Sequence, residues 1–404
     1  MTRRLHFILL SLIAIFNGCR SYDWGPLTFN QVPELTALDK KYTYDGKIVI
    51  IGAGASGLAA AKILERNGIE YQIVEATGRY GGRVKKLEGF ADFPIDVGAE
   101  WIHSHPQILN KLKGKKGSEV DEELVPYRLK ESYTWDGKNY QQIPKSALDK
   151  YFDSFPEYKF KNTSWYDFLE ENFARFVKNK IKFNSPVTEV EYAGEKVKIT
   201  LQSGEVLSAD KVLSTVSIGV LRSGNIRFMP DLTEKKKHII RSAHFLPGFK
   251  LTMKFSEKFY PDVITCKTSQ GTKDYHDVSF GKSSDFNILG LLSTGKPAEK
   301  YYQLGSEEAI VNSVLAELDK IFDGKASEVF TGEYHFEDWG RHQHTLGTWP
   351  NPTVSRSILE ELNAPLQNKV FFAGSATDLS RQGGVPGAFL SGYYAIDKLL
   401  NSEK

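Results

Sequence analysis

Three glycines, Gly52, Gly54 and Gly57, stand in the run G-A-G-A-S-G directly after Ile48–Ile51, and Glu75 follows eighteen residues beyond the third. That spacing suits an adenine dinucleotide. The first glycine permits a tight turn, the second lets backbone approach a pyrophosphate, and the third packs helix on strand. Ala55 and Ser56 open the helix, whose N-terminal amides face the phosphate charge. An acid at Glu75 can take the ribose hydroxyls, which argues against a 2′-phosphate. A second candidate lies in PGFKLTMKF, residues 247–255, where Phe249, Leu251, Met253 and Phe255 alternate with Lys250, Thr252 and Lys254. Period-two alternation separates the two sets onto opposite strand faces and leaves open whether Lys250 is solvated or held over something. The His342/His344 pair has no third ligand cluster in support, so no metal site is expected.

The elements that must position these residues follow from local pattern. Ile48–Ile51 is a continuous β-branched run, as in a buried parallel strand. The next helix, with Leu58, Ala61, Ile63 and Leu64 apolar, ends near Asn67-Gly68, and a second strand runs from Tyr71 to Val74. The stretch 111–180 opens with the charged KGKKGSEVDEELVPYRLK and continues into an aromatic-rich helical region around Tyr151–Phe176. β-Structure returns over 186–221: a strand begins at Val187, Gly194 and Ser203-Gly204 mark hairpin turns, and Lys211–Thr215 is another apolar strand. Residues 369–400 read as a strand, a glycine-rich loop and a closing helix.

The chain has 404 residues, 41% hydrophobic and 12% aromatic, which is more than one core usually grows to. Arg3 and Arg4 precede an apolar run, Leu5 to Phe16, too short to span a bilayer and shaped like a secretory signal. The run ends at Asn17-Gly18-Cys19, which looks like a loose lipoprotein processing site. Residues 1–19 are therefore expected to be a signal, with Cys19 a lipid-anchoring position and the mature protein periplasmic or on the cell surface. Removing them takes two arginines and no acid, bringing the 52 basic residues level with the 50 acidic ones. A neutral chain gives no electrostatic case for nucleic acid. Cys266 is then the sole cysteine, so there is no disulfide framework.

Gly81-Gly82-Arg83 within EATGRYGGRV, then DVGAEWIH at 96–103, make the chain resemble the flavin-dependent amine oxidase family, which includes monoamine, polyamine and spermine oxidases and flavin-type histone lysine demethylases. The resemblance implies FAD, with Arg83 touching the pyrophosphate and Gly98, Ala99, Glu100 and Trp101 passing close to the isoalloxazine. The run Trp101–His103 looks most like polyamine and spermine oxidases, where that histidine lines the substrate tunnel; a satisfied loop histidine is the plainer reading of His103. Val187 matches the valine that contacts adenine through its backbone. Lys250 matches the lysine that points at flavin N5 through a water. HFEDWGRHQHTLGTW, 335–349, places Trp339 beside the flavin and Trp349 as a wall of the aromatic cage. Thr348 stands where covalent monoamine oxidases have cysteine, so the FAD is expected to be non-covalent.

Residues 369–400 are similar to the family's last FAD element, A-G-E-x-T followed by G-x-V-x-G-A-x-x-S-G, which brings Gly374, Ser375 and Val385 to the cofactor. Ser375 departs from the usual acid. Gly384 stands where monoamine oxidases place the second cage aromatic, leaving a cage of one wall that admits a bulkier or secondary amine. The implied fold is α/β: a Rossmann-like FAD-binding domain from 45–110, 181–245 and 336–404, interleaved with a substrate domain of mixed sheet plus helices from 111–180 and 246–335, after a tether at 20–44. The implied activity is oxidation of an amine, with molecular oxygen as acceptor and Lys250, His103 and Trp349 serving the chemistry. Two rivals remain. One is a flavoprotein of this fold acting on an amino acid, with Arg128, Arg222, Arg341 or Arg381 as carboxylate clamp, or desaturating a C–C bond. The other is a binding protein that has lost turnover.

Overall fold

The computed structural model describes residues 35–117, 119–349, 355–380 and 384–402. The expected signal, Cys19 and most of the expected tether lie outside the described residues. Ile48–Ile51 forms the centre of a five-stranded parallel sheet in the order Val370–Phe372, Lys211–Ser214, Ile48–Ile51, Tyr71–Val74, Ile181–Lys182. All four central residues are buried. The reason is that both faces are covered. Helices Ala55–Arg66 and Gly384–Asn401 pack on one face, and the small sheet of Val187–Glu191, Val197–Leu201, Val206–Ala209 and Arg227–Met229 on the other. A strand covered on both sides has no polar face to alternate with.

Two glycines set how closely the helices sit. A Cβ on Gly57 would lie 2.1 Å from the Gly52 carbonyl oxygen, and one on Gly392 would lie 2.2 Å from the Ser56 carbonyl oxygen. Asn67 ends helix Ala55–Arg66, its Nδ2 donating to the Ile63 carbonyl at 2.8 Å before Gly68 turns the chain at φ +65°.

The second body is a seven-stranded sheet: Phe330–Asp338, Gly248–Phe255, Asn287–Thr294, Gly271–Asp277, Val263–Thr268, Ser132–Trp135 and Tyr140–Gln142. Helix Glu307–Ile321, capped by the Ser306 hydroxyl, and its neighbours Lys296–Tyr302 and Lys325–Val329 cover one face with Leu251, Met253, Leu289 and Leu291 beneath them. The other face carries Lys250, Thr252 and His276, all buried. The alternation in 247–255 therefore does separate two faces, yet neither is wet until Lys254.

Two expectations about boundaries change. Trp165, Phe168, Phe173 and Val177, expected in the substrate domain, pack into the core around helix Ala55–Arg66, with Phe173 stacked on Phe389 at 4.3 Å. Aromatic content identified the helix but not the body it covers. Likewise Leu35, Leu38 and Tyr42, within the expected tether, are buried, and the Tyr42 hydroxyl donates to Asp397 on the closing helix. That end of the segment is docked.

Candidate active site

The glycine turn and Glu75 meet as their spacing predicts. Glu75 is buried; one carboxylate oxygen accepts from the Ala53 amide at 2.8 Å, the other from the Thr77 amide and hydroxyl at 2.9 and 2.8 Å. Its position is thus fixed by the turn it serves. A Cβ on Gly54 would meet nothing within 4 Å, so open space faces the second glycine. Ser56, buried at the helix start, has an Oγ with no partner. Both are what a dinucleotide phosphate at this turn requires.

Arg83 supplies the charge. Its guanidinium donates to the Thr348 carbonyl and, at 3.0 Å, to Ser375 Oγ, and lies over the Phe245 ring at 5.3 Å. These acceptors are neutral. Burial pushes its pKa down to about 10. A half-buried cation with no counter-charge among the described residues fits an anionic cofactor, and the chain offers no carboxylate at 375 to satisfy it first. Gly374 precedes Ser375 at φ +142° and donates its amide to Ser391 Oγ at 3.0 Å. Val385 is buried near the start of the closing helix, and Val187 at the start of its strand.

The loop 96–103 joins the two bodies. A Cβ on Gly98 would stand 2.0 Å from the Arg83 carbonyl oxygen, and the Ala99 amide donates to that same oxygen at 3.1 Å. Buried Trp339 donates its Nε1 to the Val97 carbonyl at 2.9 Å, which sets it against this loop.

Glu100 has partners its motif did not suggest: its buried carboxylate is committed to Lys250 at 2.6 Å, Lys159 at 2.7 Å and His276 at 3.3 Å. Burial raises the Glu100 pKa, but the two ammoniums and the histidine more than offset this and hold it well below the usual range. His276 shifts down because burial outweighs its attraction to Glu100. Asp96 is raised well above the ordinary carboxylate value, by burial first and Glu100 second. Lys250 also donates to the Asp96 carbonyl at 3.1 Å and stands 4.9 Å from the Trp101 ring centroid. It is neither on a wet face nor free: an ion pair and an aromatic ring hold it.

Trp101 is the hub of an aromatic cluster. His276 meets its ring edge-on at 5.0 Å and Tyr127 at 6.0 Å, with Phe152 and Phe280 packed on Tyr127. His103 lies partly exposed beside Trp101, its Nδ1 3.1 Å from a Glu157 carboxylate oxygen. Trp349 is exposed, 38%, immediately after Thr348. Among the arginines weighed as a carboxylate clamp, Arg128 pairs with Asp153, Arg222 donates to the Ile240 and Ala243 carbonyls, and Arg341 pairs with Asp338. Arg381 lies outside the described residues. Among the described residues no three His, Cys, Asp or Glu side chains are grouped to hold a metal.

Lys159, His276, Tyr127 and Asp96 were not singled out from sequence. Lys159 sits in YKF and His276 in YHD, short alternating stretches like many others, with nothing local to mark them.

The family model for flavin-containing amine oxidoreductases matches residues 55–177 and 166–400. Polyamine oxidase 3 of Oryza sativa subsp. japonica is 24% identical over 89% of this chain and 90% of its own length. Lysine-specific histone demethylase 2 of Homo sapiens is 23% identical over 90% of this chain and 54% of its own. Among solved structures, cyclohexylamine oxidase from Brevibacterium oxydans IH-35A superposes with a TM-score of 0.70 at 18% identity, covering 88% of this chain and 99% of that one. A cofactor-binding redesign of putrescine oxidase gives 0.69 at 15%, covering 88% and 98%.

Proposed function

Because the chain belongs to the flavin-containing amine oxidoreductase family, we propose that it holds FAD non-covalently and oxidises a primary or secondary amine, with polyamines the first class to try. Bound FAD would take a hydride from the carbon beside the amine nitrogen and pass two electrons to oxygen, giving hydrogen peroxide and an imine that water hydrolyses to aldehyde and amine. The observation that carries the cofactor assignment is Arg83, a half-buried cation that, among the described residues, is answered by a carbonyl, a hydroxyl and a ring and by no carboxylate. Glu75 and the open side of Gly54 serve the ribose and pyrophosphate.

The chain's own residues then prepare the amine. An alkylamine has a pKa near 10.4 and carries no lone pair while protonated. The aromatic body of Trp101, Tyr127, Phe152 and Phe280 excludes water, which disfavours the cation, while a ring face still guides it inward. His103, with Glu157 behind it, and Trp349 position the amine from the solvent side. Lys250, held by Glu100 and the Trp101 ring, would face the bound flavin and assist its reoxidation or the hydrolysis of the imine.

Reconstituted protein should be yellow, and its oxidised flavin band should bleach on anaerobic addition of spermine, spermidine or a simple monoamine. Bleaching by amino acids alone would overturn the amine reading. Export and lipid attachment at Cys19 belong to the same proposal, supported by the run Leu5–Phe16. Membrane-fractionated protein that moves to the soluble fraction on Cys19→Ser would support them, and an intact N-terminal peptide by mass spectrometry would refute them.

A further inference from the structure

At Glu100 the loop 96–103 is tied to three other elements: by ion pairs to Gly248–Phe255 through Lys250 and to Tyr158–Phe160 through Lys159, and by a 3.3 Å contact to Gly271–Asp277 through His276. Two ammoniums share this one carboxylate. Asp96 offers Lys250 only its carbonyl, and its side-chain Oδ1 is buried without a partner. Lys159 is otherwise satisfied by the Val278 carbonyl at 3.3 Å and the Tyr127 ring at 5.6 Å.

We propose that Glu100 is a positioning residue for the flavin-facing lysine: its carboxylate fixes the Lys250 ammonium against the Gly98–Trp101 loop, and Lys159 and His276 fix the carboxylate. The inference rests on the FAD reading above. A lysine has a long, flexible stem and a strongly hydrated head, so a buried one keeps a single position only where a partner defines it. Here the ion pair, the carbonyl and the Trp101 ring define it from three sides. With a neutral amide at 100, the two buried ammoniums would lose their shared counter-charge and repel each other. Lys250 would then leave the place from which it serves the flavin. A Glu100 that merely balanced buried charge would affect folding, but would not act through Lys250.

A double-mutant cycle separates these roles. Holoenzyme is prepared as wild type, Glu100→Gln, Lys250→Met and the double variant, with melting temperature and FAD content recorded for each. The flavin is reduced photochemically without any amine and mixed with oxygen, which accepts two electrons and two protons to become hydrogen peroxide. Each single substitution should slow return of the oxidised band by about tenfold or more, and the double variant should be no slower than Lys250→Met. The spectrum of the bound oxidised flavin should shift alike in both single variants. Equal slowing by Glu100→Gln in the presence and absence of Lys250 would overturn the proposal, as would a wild-type rate in Glu100→Gln.

If Glu100→Gln does not fold, Glu100→Asp keeps the charge and withdraws it by one methylene. A wild-type rate and spectrum there would overturn the positional requirement, and a slowed rate with full FAD content would support it. Wild-type protein that takes up no FAD would overturn both this inference and the function above. FAD uptake without bleaching by amines would overturn only the function.

Discussion

Replacing Arg83 by methionine should separate the cost of carrying a half-buried charge from its use. Burial lowers the guanidinium from its ordinary value to about 10. The unfolded chain holds that proton more tightly than the fold, so below pH 10 the charge costs the apoprotein about 3 kcal/mol. The penalty is relieved only as pH rises from about 10 towards the ordinary guanidinium value. Arg83→Met removes the cost and keeps an apolar stem over Phe245. It also leaves the Thr348 carbonyl and Ser375 Oγ without their donor, at about 1 kcal/mol each. These effects offset, so the apoprotein should melt at an unchanged or slightly higher temperature. Cofactor binding should fare differently. If Arg83 holds the pyrophosphate through two charge-assisted hydrogen bonds, each about 1.5–3 kcal/mol, their loss raises the Kd for FAD by about 10²- to 10⁴-fold. Calorimetric titration of apoprotein with FAD, beside a circular-dichroism melt, reads both quantities. An apoprotein destabilised by more than about 5 °C with unchanged FAD affinity would refute the reasoning, because Arg83 would then be a structural strut.

Three further substitutions test neighbouring parts of the site. Glu75→Gln leaves the Ala53 or Thr77 amide without its acceptor; stability in urea should fall by about 1–2 kcal/mol and the FAD Kd should rise about tenfold. Gly57→Ala puts a methyl 2.1 Å from the Gly52 carbonyl and 3.2 Å from Ile50 Cγ2; the helix must retreat from the turn, and the purified protein should be colourless with a melt lowered by about 1–3 kcal/mol of overpacking. Asp96, whose pKa burial and Glu100 raise, binds a proton in the fold that the unfolded chain releases, so it costs stability as pH climbs above 3.8. Asp96→Asn keeps an acceptor for the Trp165 amide and should melt at the same or a higher temperature at pH 7, with its advantage vanishing below pH 4.

The glycine turn and its acid were legible because their geometry is local. Gly52, Gly54, Gly57 and Glu75 belong to one strand–turn–helix–strand unit, where spacing alone forces the acid under the turn, as the Ala53 and Thr77 amides show. The apolar run Ile48–Ile51 likewise announced a strand covered on both sides. Resemblance carried the order of the later motifs, and the family assignment holds.

What surrounds a strand face is another matter. The alternation in 247–255 determined that Lys250 shares a face with Thr252 and says nothing about what lies over that face. Only the tertiary structure brought Glu100 there from 150 residues away, with Lys159 and His276 from two further strands. Arg83 depends in the same way on Thr348 and Ser375, across separations of 265 and 292 residues. Turn geometry and strand period are set by neighbours in the chain, so sequence encodes them directly. A buried ion pair is set by which surfaces the fold presses together, and its partners need share nothing in sequence except opposite charge.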